Sequence, residues 1–492
     1  MADKEVKPVE KTADPIISQI GDFRRYQFLF FFLILLSKFG TGWHTLGHIF
    51  LAAPTPVSCK TENVTDACSK DCKKVEYDTS VFKSTIVTEW DLICDLKTLV
   101  SLSQSIVMMG IMLGSMGFGM MADRYGRRPA FLTCCYMQLF TGLIVCLSPF
   151  YWFYCLFRFL VAFATGGTMT TSFVLLMEIV GPKRREMIAI LYQIPFGIGH
   201  GSLSVFAYFI RDWRWFQFSI TIFSVVFVIY IWLVPESPRW LYTTGRLDKS
   251  IKILEKIARC NKAPTETIRP EIEAAYALKD AQQQAKKANM CDLFRTPYLR
   301  LKTIFMANDW LVTCMVYYGT AQYVAVLGGN IFVNNMIAAF VGIPGTCLCV
   351  VLTKYLGRKW TLILSSSISA VGLFLLAALF ELGTIAQVVC AALGLFGASM
   401  SFPNVYLYGG ELFPTVVRSN GVGLCSMVGR IGSILAPLIC DLKAYGNWIA
   451  PVIFGIFSVL AILGTLFLPE TRGMPLPETL EDGENFGRKA KM

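Results

Sequence analysis

"ADRYGRRP", residues 122–129, and "TKYLGRK", residues 353–359, are two copies of one pattern. Each puts a glycine before a basic pair, between two long apolar runs. Gly126 and Gly357 stand 231 positions apart (126 to 357). Two further pairs keep nearly that offset. Glu178 in "MEIVGPKRR" and Glu411 in "GELFPTVVR" are 233 positions apart (178 to 411). Glu236 in "VPESPRW" and Glu470 in "LPETRG" are 234 apart (236 to 470). Three landmark pairs at one offset predict a duplicated unit, and two such units around a central path predict alternating access.

The unit is membrane-embedded. Of 492 residues, 54% are hydrophobic and only 16% charged, a balance outside the soluble range. A span needs about 20 apolar residues. Candidates lie near 27–50, 98–121, 130–148, 151–178, 187–210, 215–234, 301–325, 329–352, 360–380, 384–408, 419–440 and 446–468. These predict an all-α membrane fold of twelve spans in two six-span halves. The expected divisions are a cytoplasmic N-terminus over 1–26, a first half over 27–234, a linker over 235–300, a second half over 301–468 and a cytoplasmic C-terminus over 469–492. The linker reads as amphipathic helices ("LDKSIKILEKIARC", "PEIEAAYALKDAQQQAKKA") packed under the bundle. The polar start and the long, late first apolar run predict no cleavable signal peptide. The net charge of +11 does not indicate nucleic acid, because the basic residues form short clusters between spans rather than one patch.

Those clusters set orientation. Arg24 and Arg25, "DRYGRR", "PKRR", "KYLGRK" and Arg418 fall on one side, and the alternate loops are nearly uncharged or mixed. By the positive-inside rule both termini are cytoplasmic. The loop over 51–97 is then outside the cell. It holds Cys59, Cys68, Cys72 and Cys94 and the sequon Asn63-Val64-Thr65. This predicts two disulfides of open pairing and a glycan on Asn63.

The charged turns carry a second expectation. Gly126 permits a tight turn. Asp123 is placed to accept from the helix end and from arginines, and Arg127 and Arg128 to pair with Glu178 or Glu236. Such a network would close the cytoplasmic side in one state and break in the other, or simply anchor topology. The gating candidates are Asp123, Arg127, Arg128, Glu178, Arg184, Glu236 and Arg239, with Gly357, Arg358, Glu411, Arg418 and Glu470 in the second half.

Taken together, "TEWDLICD", "ADRYGRRP", "GPKRR", "AILYQ", "VPESPRWL", "GNIFVN", "GELFPTVVRSNG" and "LPETRGMPLPET" make a chain that resembles the organic ion transporter family of the major facilitator superfamily. That family includes organic cation, carnitine/zwitterion and organic anion transporters. "PESPR" and "PETRG" also resemble sugar porters, but the long first loop and "TEWDLICD" do not. Lys354 stands where the first copy has Asp123, which predicts a weaker second half of the gate.

Arg430 is the sharpest binding candidate. It lies twelve residues past Arg418, about 18 Å into a core about 30 Å thick. Gly429, Gly432 and Ser433 beside it leave space. An intramembrane charge faces a partner or a watery path. A guanidinium suits a carboxylate or sulfate. The resemblance implies arginine here in anion and carnitine-type members and an acid in cation-selective ones. It also implies acids mid-span seven and eight in cation transporters, where this chain has Thr313 and Gly342. Asp309 cuts the other way: it either holds an ammonium or neutralises a cation such as Lys38.

Lys38 sits mid-depth in span one, with His44 and His48 one turn apart beyond it. These histidines and His200 are either ordinary helix contacts or sites of substrate or proton coupling. Tyr192, Phe196, Trp310, Tyr317, Tyr318 and Tyr406 supply aromatic walls, or helix packing.

No Walker motif is present, and "GIGHG" (197–201) lies inside a span, so no enzyme, metal or cofactor is predicted. Solute, Na+, H+ or counter-anion gradients would drive the cycle. The expected function is plasma-membrane transport of small organic ions, carboxylate-bearing anions or zwitterions above all. The expected partners are that solute and the lipid bilayer. The alternatives are a cation transporter using Asp309, a sugar porter, or a receptor that does not transport.

Overall fold

In hydrocarbon every backbone polar group needs an internal partner, so long apolar runs become helices. The computed structural model describes residues 20–21, 23–60, 68–69, 72, 75–282, 290–325 and 327–487. Spans one to six are Arg25–Leu51, Cys94–Tyr125, Arg127–Val145, Tyr151–Met177, Met187–Phe209 and Trp213–Leu233. Spans eight to twelve are Ile331–Tyr355, Arg358–Ala378, Thr384–Leu412, Arg418–Ala444 and Ile449–Leu466. These eleven are the described helices long and apolar enough to cross a membrane.

Span seven, Pro297–Ala325, corrects the expectation of twelve apolar runs. It is a helix of 29 residues, so length is no obstacle. Apolarity is, because it buries Lys302, Thr303 and Asp309 against protein rather than lipid. Within the first half, span four packs on spans two and three; within the second, span seven packs on eleven and nine on ten. The halves meet along spans two and eleven, and five and eight.

One end of the bundle carries the charged turns. Gly126 and Gly357 have φ of +119° and +94°. A Cβ at Gly126 would lie 2.3 Å from Glu236 Oε2, and one at Gly357 2.5 Å from Glu470 Oε2. Glycine is required for backbone angle and for room. On this end the linker forms helices Pro238–Thr243, Leu247–Cys260 and Ile268–Gln282. Ile251, Leu254 and Ile257 pack with Ile20, Ile268 and Ile272. Asn261 ties the linker to span one, accepting from Tyr26 N–H (2.8 Å) and donating to Gln27 Oε1 (2.9 Å). A short C-terminal helix, Leu480–Asn485, clasps the start of span seven. Glu484 accepts from the Leu299 amide at 2.8 Å, and Lys302 donates to the Gly483 and Phe486 carbonyls at 2.8 Å each.

The opposite end carries the Cys-rich region. Strands Val57–Cys59 and Val75–Tyr77 pair antiparallel. Disulfides join Cys59 to Cys72 and Cys68 to Cys94, closing the pairing that the sequence left open. Tyr77 donates to Asp91 at 2.7 Å; burial and that carboxylate push its phenol up, so it remains a neutral donor. Asn63 lies outside the described residues.

The turn geometry gives a stability prediction. Gly126→Ala meets both a positive φ and the Glu236 carboxylate, and is expected to cost on the order of 1–3 kcal/mol. Gly383→Ala shares the positive φ (+104°) but meets nothing within 4 Å, so it should cost less. Thermal unfolding of the detergent-purified chain measures both. Equal midpoints for the two variants would refute the clash at Glu236.

Candidate functional site

The halves enclose a central cavity of ≈ 340 Å³, ample for a small organic solute. Its lining includes Val174, Ser419 and Gly423, near the charged-turn ends of their spans, and none of the described residues of the Cys-rich region. The cavity therefore opens at the charged-turn end.

Among the described side chains two cations line it, Lys38 of span one and Arg430 of span eleven, one from each half, and no aspartate or glutamate does. Arg430, only 6% exposed, has Nη1 3.4 Å from the Tyr318 hydroxyl. Lys38 Nζ lies 4.3 Å from the Tyr192 ring centroid and 5.8 Å from that of Phe196. Aromatic faces offset part of the cost of burying an ammonium; a hydroxyl alone offsets little for a guanidinium. Tyr317 and Phe402 continue the aromatic wall, with ring centroids 5.3 Å apart.

The expected small neighbours of Arg430 act otherwise than as open space. A Cβ at Gly432 would lie 2.3 Å from the Leu311 carbonyl oxygen, and one at Gly429 3.0 Å from Cys314 Sγ. The glycines let span eleven press against span seven, which leaves the arginine facing the cavity.

Of the predicted binding residues, Arg430, Lys38, Tyr192, Phe196, Tyr317 and Tyr318 line the cavity, as does Tyr406. Asp309, Trp310 and His44 do not. Asp309 is fully buried toward span twelve, where its Oδ2 accepts the Thr465 hydroxyl at 3.0 Å. It forms no ion pair with Lys38. Nine residues, two and a half turns, separate it from Tyr318, so the two point to opposite sides of span seven. Trp310 stands behind Tyr406, ring centroids 4.2 Å apart. His44 is buried inside the first half, and its ring nitrogens have no hydrogen-bond partner among the described residues. His44 and His48 do lie one turn apart in span one, because Gly47 between them keeps helical angles (φ −58°, ψ −20°).

Sequence reasoning passed over Arg158. It is a fully buried arginine of span four, with Nη2 3.2 Å from the His44 carbonyl and Nη1 3.4 Å from Gln217 Oε1. A lone arginine within 151–178 was the available signal.

The charged turns form one cluster per half. Arg127 bridges Glu178 at 3.0 Å and Asp123 at 2.5 Å. Glu236 accepts the backbone N–H groups of Arg127 (2.9 Å) and Arg128 (3.1 Å). In the second half Arg358 bridges Glu411 at 2.8 Å. Glu470 accepts from the amides of Arg358 (2.9 Å) and Lys359 (3.1 Å). With lysine in place of Asp123, Arg358 Nη1 donates to the Thr353 carbonyl at 3.2 Å. Each cluster ties elements of its own half in this conformation.

Two expected gating residues, Arg128 and Arg418, differ from the simple ion-pair picture. The Arg128 guanidinium reaches the Ile231 carbonyl rather than an acid. Arg418 donates to the Phe413 carbonyl at 3.2 Å and the Thr415 hydroxyl at 3.1 Å. Arg184 is exposed. Backbone carbonyls at helix ends are strong acceptors, and they take the Arg128 and Arg418 side chains in place of carboxylates. Among the described residues no group of three or more His, Cys, Asp or Glu gathers to hold a metal.

Comparison with known proteins agrees with this architecture. A family model described as sugar (and other) transporter matches residues 30–482. An organic cation transporter protein of Drosophila melanogaster is 35% identical over 97% of this chain and 95% of its own length. Solute carrier family 22 member 12 of Homo sapiens is 37% identical over 83% and 74%. Solute carrier family 22 member 3 of Mus musculus is 35% identical over 86% and 75%. Among solved structures, the xylose transporter XylE from E. coli, in a partially occluded inward-open conformation, superposes with a TM-score of 0.68. Its identity is 16%, over 92% of this chain and 100% of that one. That likeness is one of fold.

Proposed function

The chain belongs to the sugar (and other) transporter family of the major facilitator superfamily, and within it to the organic ion transporters; from that premise we propose that it carries small carboxylate-bearing anions or zwitterions, carnitine-like or amino-acid-derived, across the plasma membrane by alternating access. One observation carries the substrate class: Lys38 and Arg430 line a single cavity whose described lining includes no carboxylate. Such a cavity attracts negative charge, and the guanidinium fork offers a carboxylate two parallel hydrogen bonds. Aromatic rings beside it suit an organic body or a quaternary ammonium head.

The positive-inside rule supports an orientation with the charged turns and both termini in the cytoplasm and the Cys-rich region outside. Asn63 is then exposed to glycosylation. Enzymatic deglycosylation should shift the wild-type chain on a gel and leave Asn63→Gln unshifted. A shift that persists in the variant would refute the assignment.

The charged turns supply the cytoplasmic gate. Asp123, Arg127 and Glu178 are paired within the first half in this conformation, open at that end; in this reading they exchange partners across the halves when the cytoplasmic side closes and so stabilise the outward-open state, and the second cluster, lacking the acid, contributes less. Asp123→Ala should reach the surface at normal abundance and turn over slowly, while Lys354→Ala removes no carboxylate and should stay within about twofold of wild type, a difference of ~0.4 kcal/mol. An unchanged rate for Asp123→Ala at matched surface abundance would sink the gating role.

The substrate class is tested by uptake of labelled carnitine, a dicarboxylate and tetraethylammonium, with and without sodium. Arg430→Ala should lose on the order of 2–5 kcal/mol of carboxylate binding, roughly thirtyfold or more in apparent affinity. Arg430→Lys should fail in part, because a point charge does not reproduce the planar fork. The cation reading rests on Asp309 and instead requires Asp309→Asn to abolish tetraethylammonium uptake. Asp309 lies outside the cavity, so that variant should leave carboxylate uptake unchanged. Unaltered carboxylate affinity in Arg430→Ala would make the arginine structural and remove the main support for this substrate class.

A further inference from the structure

At the Cys-rich end the two halves touch, and their contacts fall into two tiers. The outer tier is aromatic. Phe332, at the start of span eight, stacks on Phe50 at the end of span one, centroids 5.8 Å apart and planes 11° apart. It also meets Phe82 of the Cys-rich region and Tyr208 of span five, each at 5.6 Å. Phe332 is 8% exposed, so one ring of the second half is enclosed by three rings of the first.

The inner tier is polar. Asn335 lies three residues, one helical turn, beyond Phe332 and is fully buried. Its Oδ1 is 2.8 Å from His200 Nε2. Its amide donates to the His200 carbonyl at 3.2 Å and to the Ser204 hydroxyl at 2.8 Å. Span five is thus held to span eight by one side chain. Alongside, the Ser105 hydroxyl of span two donates to the Ile434 carbonyl of span eleven at 2.9 Å.

The Cys-rich region is mechanically part of the first half. Ser84 bridges to Asp212, and the Lys83 amide donates to the Arg211 carbonyl at 2.9 Å. The Trp213 indole donates to Glu89 at 2.5 Å, and Arg214 pairs with the same carboxylate. Phe82 sits next to this clasp, yet its ring rests on span eight.

The cavity opens at the other end, so alternating access requires these contacts to part. We propose that Phe332 and Asn335 form the outer gate of the transport cycle, and that the Cys-rich region, through Phe82, supplies one wall of it. The gate holds the conformation open at the charged-turn end. It gives the disulfide-bonded region a role in the cycle. The proposal rests on the transport reading above for alternating access, and not on which solute is carried.

The test is labelling from outside the cell by a membrane-impermeant thiol reagent, in the full-length chain and without substrate. Ser426, a cavity-lining residue, is replaced in a Ser426→Cys reporter; the chain without this change gives the background. The reporter should label slowly. Adding Asn335→Ala or Phe332→Ala should raise its rate by about threefold to tenfold, the population shift expected from losing a few buried contacts. Phe82→Ala should move it the same way. Ser204→Ala removes only one of Asn335's bonds; it should give a smaller rise and stands in if the larger changes fail to fold. Rates equal to the reporter's at matched surface abundance would overturn the gate. No effect of Phe82→Ala beside a clear effect of Phe332→Ala would overturn the part assigned to the Cys-rich region. Faster labelling in a chain that transports no carboxylate would uphold the gate and reject the substrate class.

Discussion

Span eleven packs so tightly on span seven that a Cβ at Gly432 would nearly touch the Leu311 carbonyl oxygen, and this contact decides where Arg430 points. A helix pinned on one face presents the other, and here the other face is the cavity. A guanidinium near mid-membrane is costly wherever it lies. Pinned in this way it cannot be relieved by a small rotation of its helix. Tyr318 contributes one long contact at 3.4 Å, and the rest of the demand falls on whatever enters the cavity. Lys38 stands in the same position on the other half, with rings rather than a carboxylate against it.

The duplication is strictest where the backbone needs it and loosest where specificity lies. Glu236 and Glu470 cap matched helix ends with the same bonds, amide to carboxylate, beside glycines of matching φ. A carboxylate at a helix N-terminus is favoured by the exposed N–H groups and the helix dipole, so both copies retain it. The Asp123 position departs: lysine replaces it in the second copy, and Arg358 falls back on the Thr353 carbonyl. Within the cavity the halves share nothing but sign. One offers an ammonium in a box of rings, the other a guanidinium beside phenols.

The spans, the duplication and the cavity cations were legible because each depends on depth along a helix, which sequence spacing measures directly. Arg430 and Lys38 were placed by counting residues from a charged boundary. Asp309, Trp310 and His44 were misplaced by the same count, because depth does not give direction around the helix axis. Asp309 turns toward Thr465 of span twelve and Trp310 hides behind Tyr406. Neither neighbour is near in sequence. Span seven misled for a related reason: a helix enclosed by others tolerates charge that a lipid-facing one excludes, so its composition fell short of the apolar pattern. The disulfide pairing could not be read at all, since four cysteines fit three connectivities.

The two ends of the molecule are held by different physics, and that difference shapes the cycle. The charged turns bond within each half, at the end where the cavity opens, and Asp123 has a side chain 77% accessible; such pairs are screened and weak. The outer contacts are dry: a fully buried asparagine and an enclosed phenylalanine ring. Buried hydrogen bonds are costly to leave unmade, so the outer end opens only if other contacts replace what is lost. Under the proposed reading, a bound carboxylate supplies part of that replacement. Each half contributes one cation to the cavity, so an anion between them reduces their mutual repulsion and favours approach of the halves around it. A ligand shifts a conformational equilibrium only by its difference in affinity for the two states. Cations placed on opposite halves make that difference depend on how far apart the halves stand, which is the quantity the transport cycle has to change.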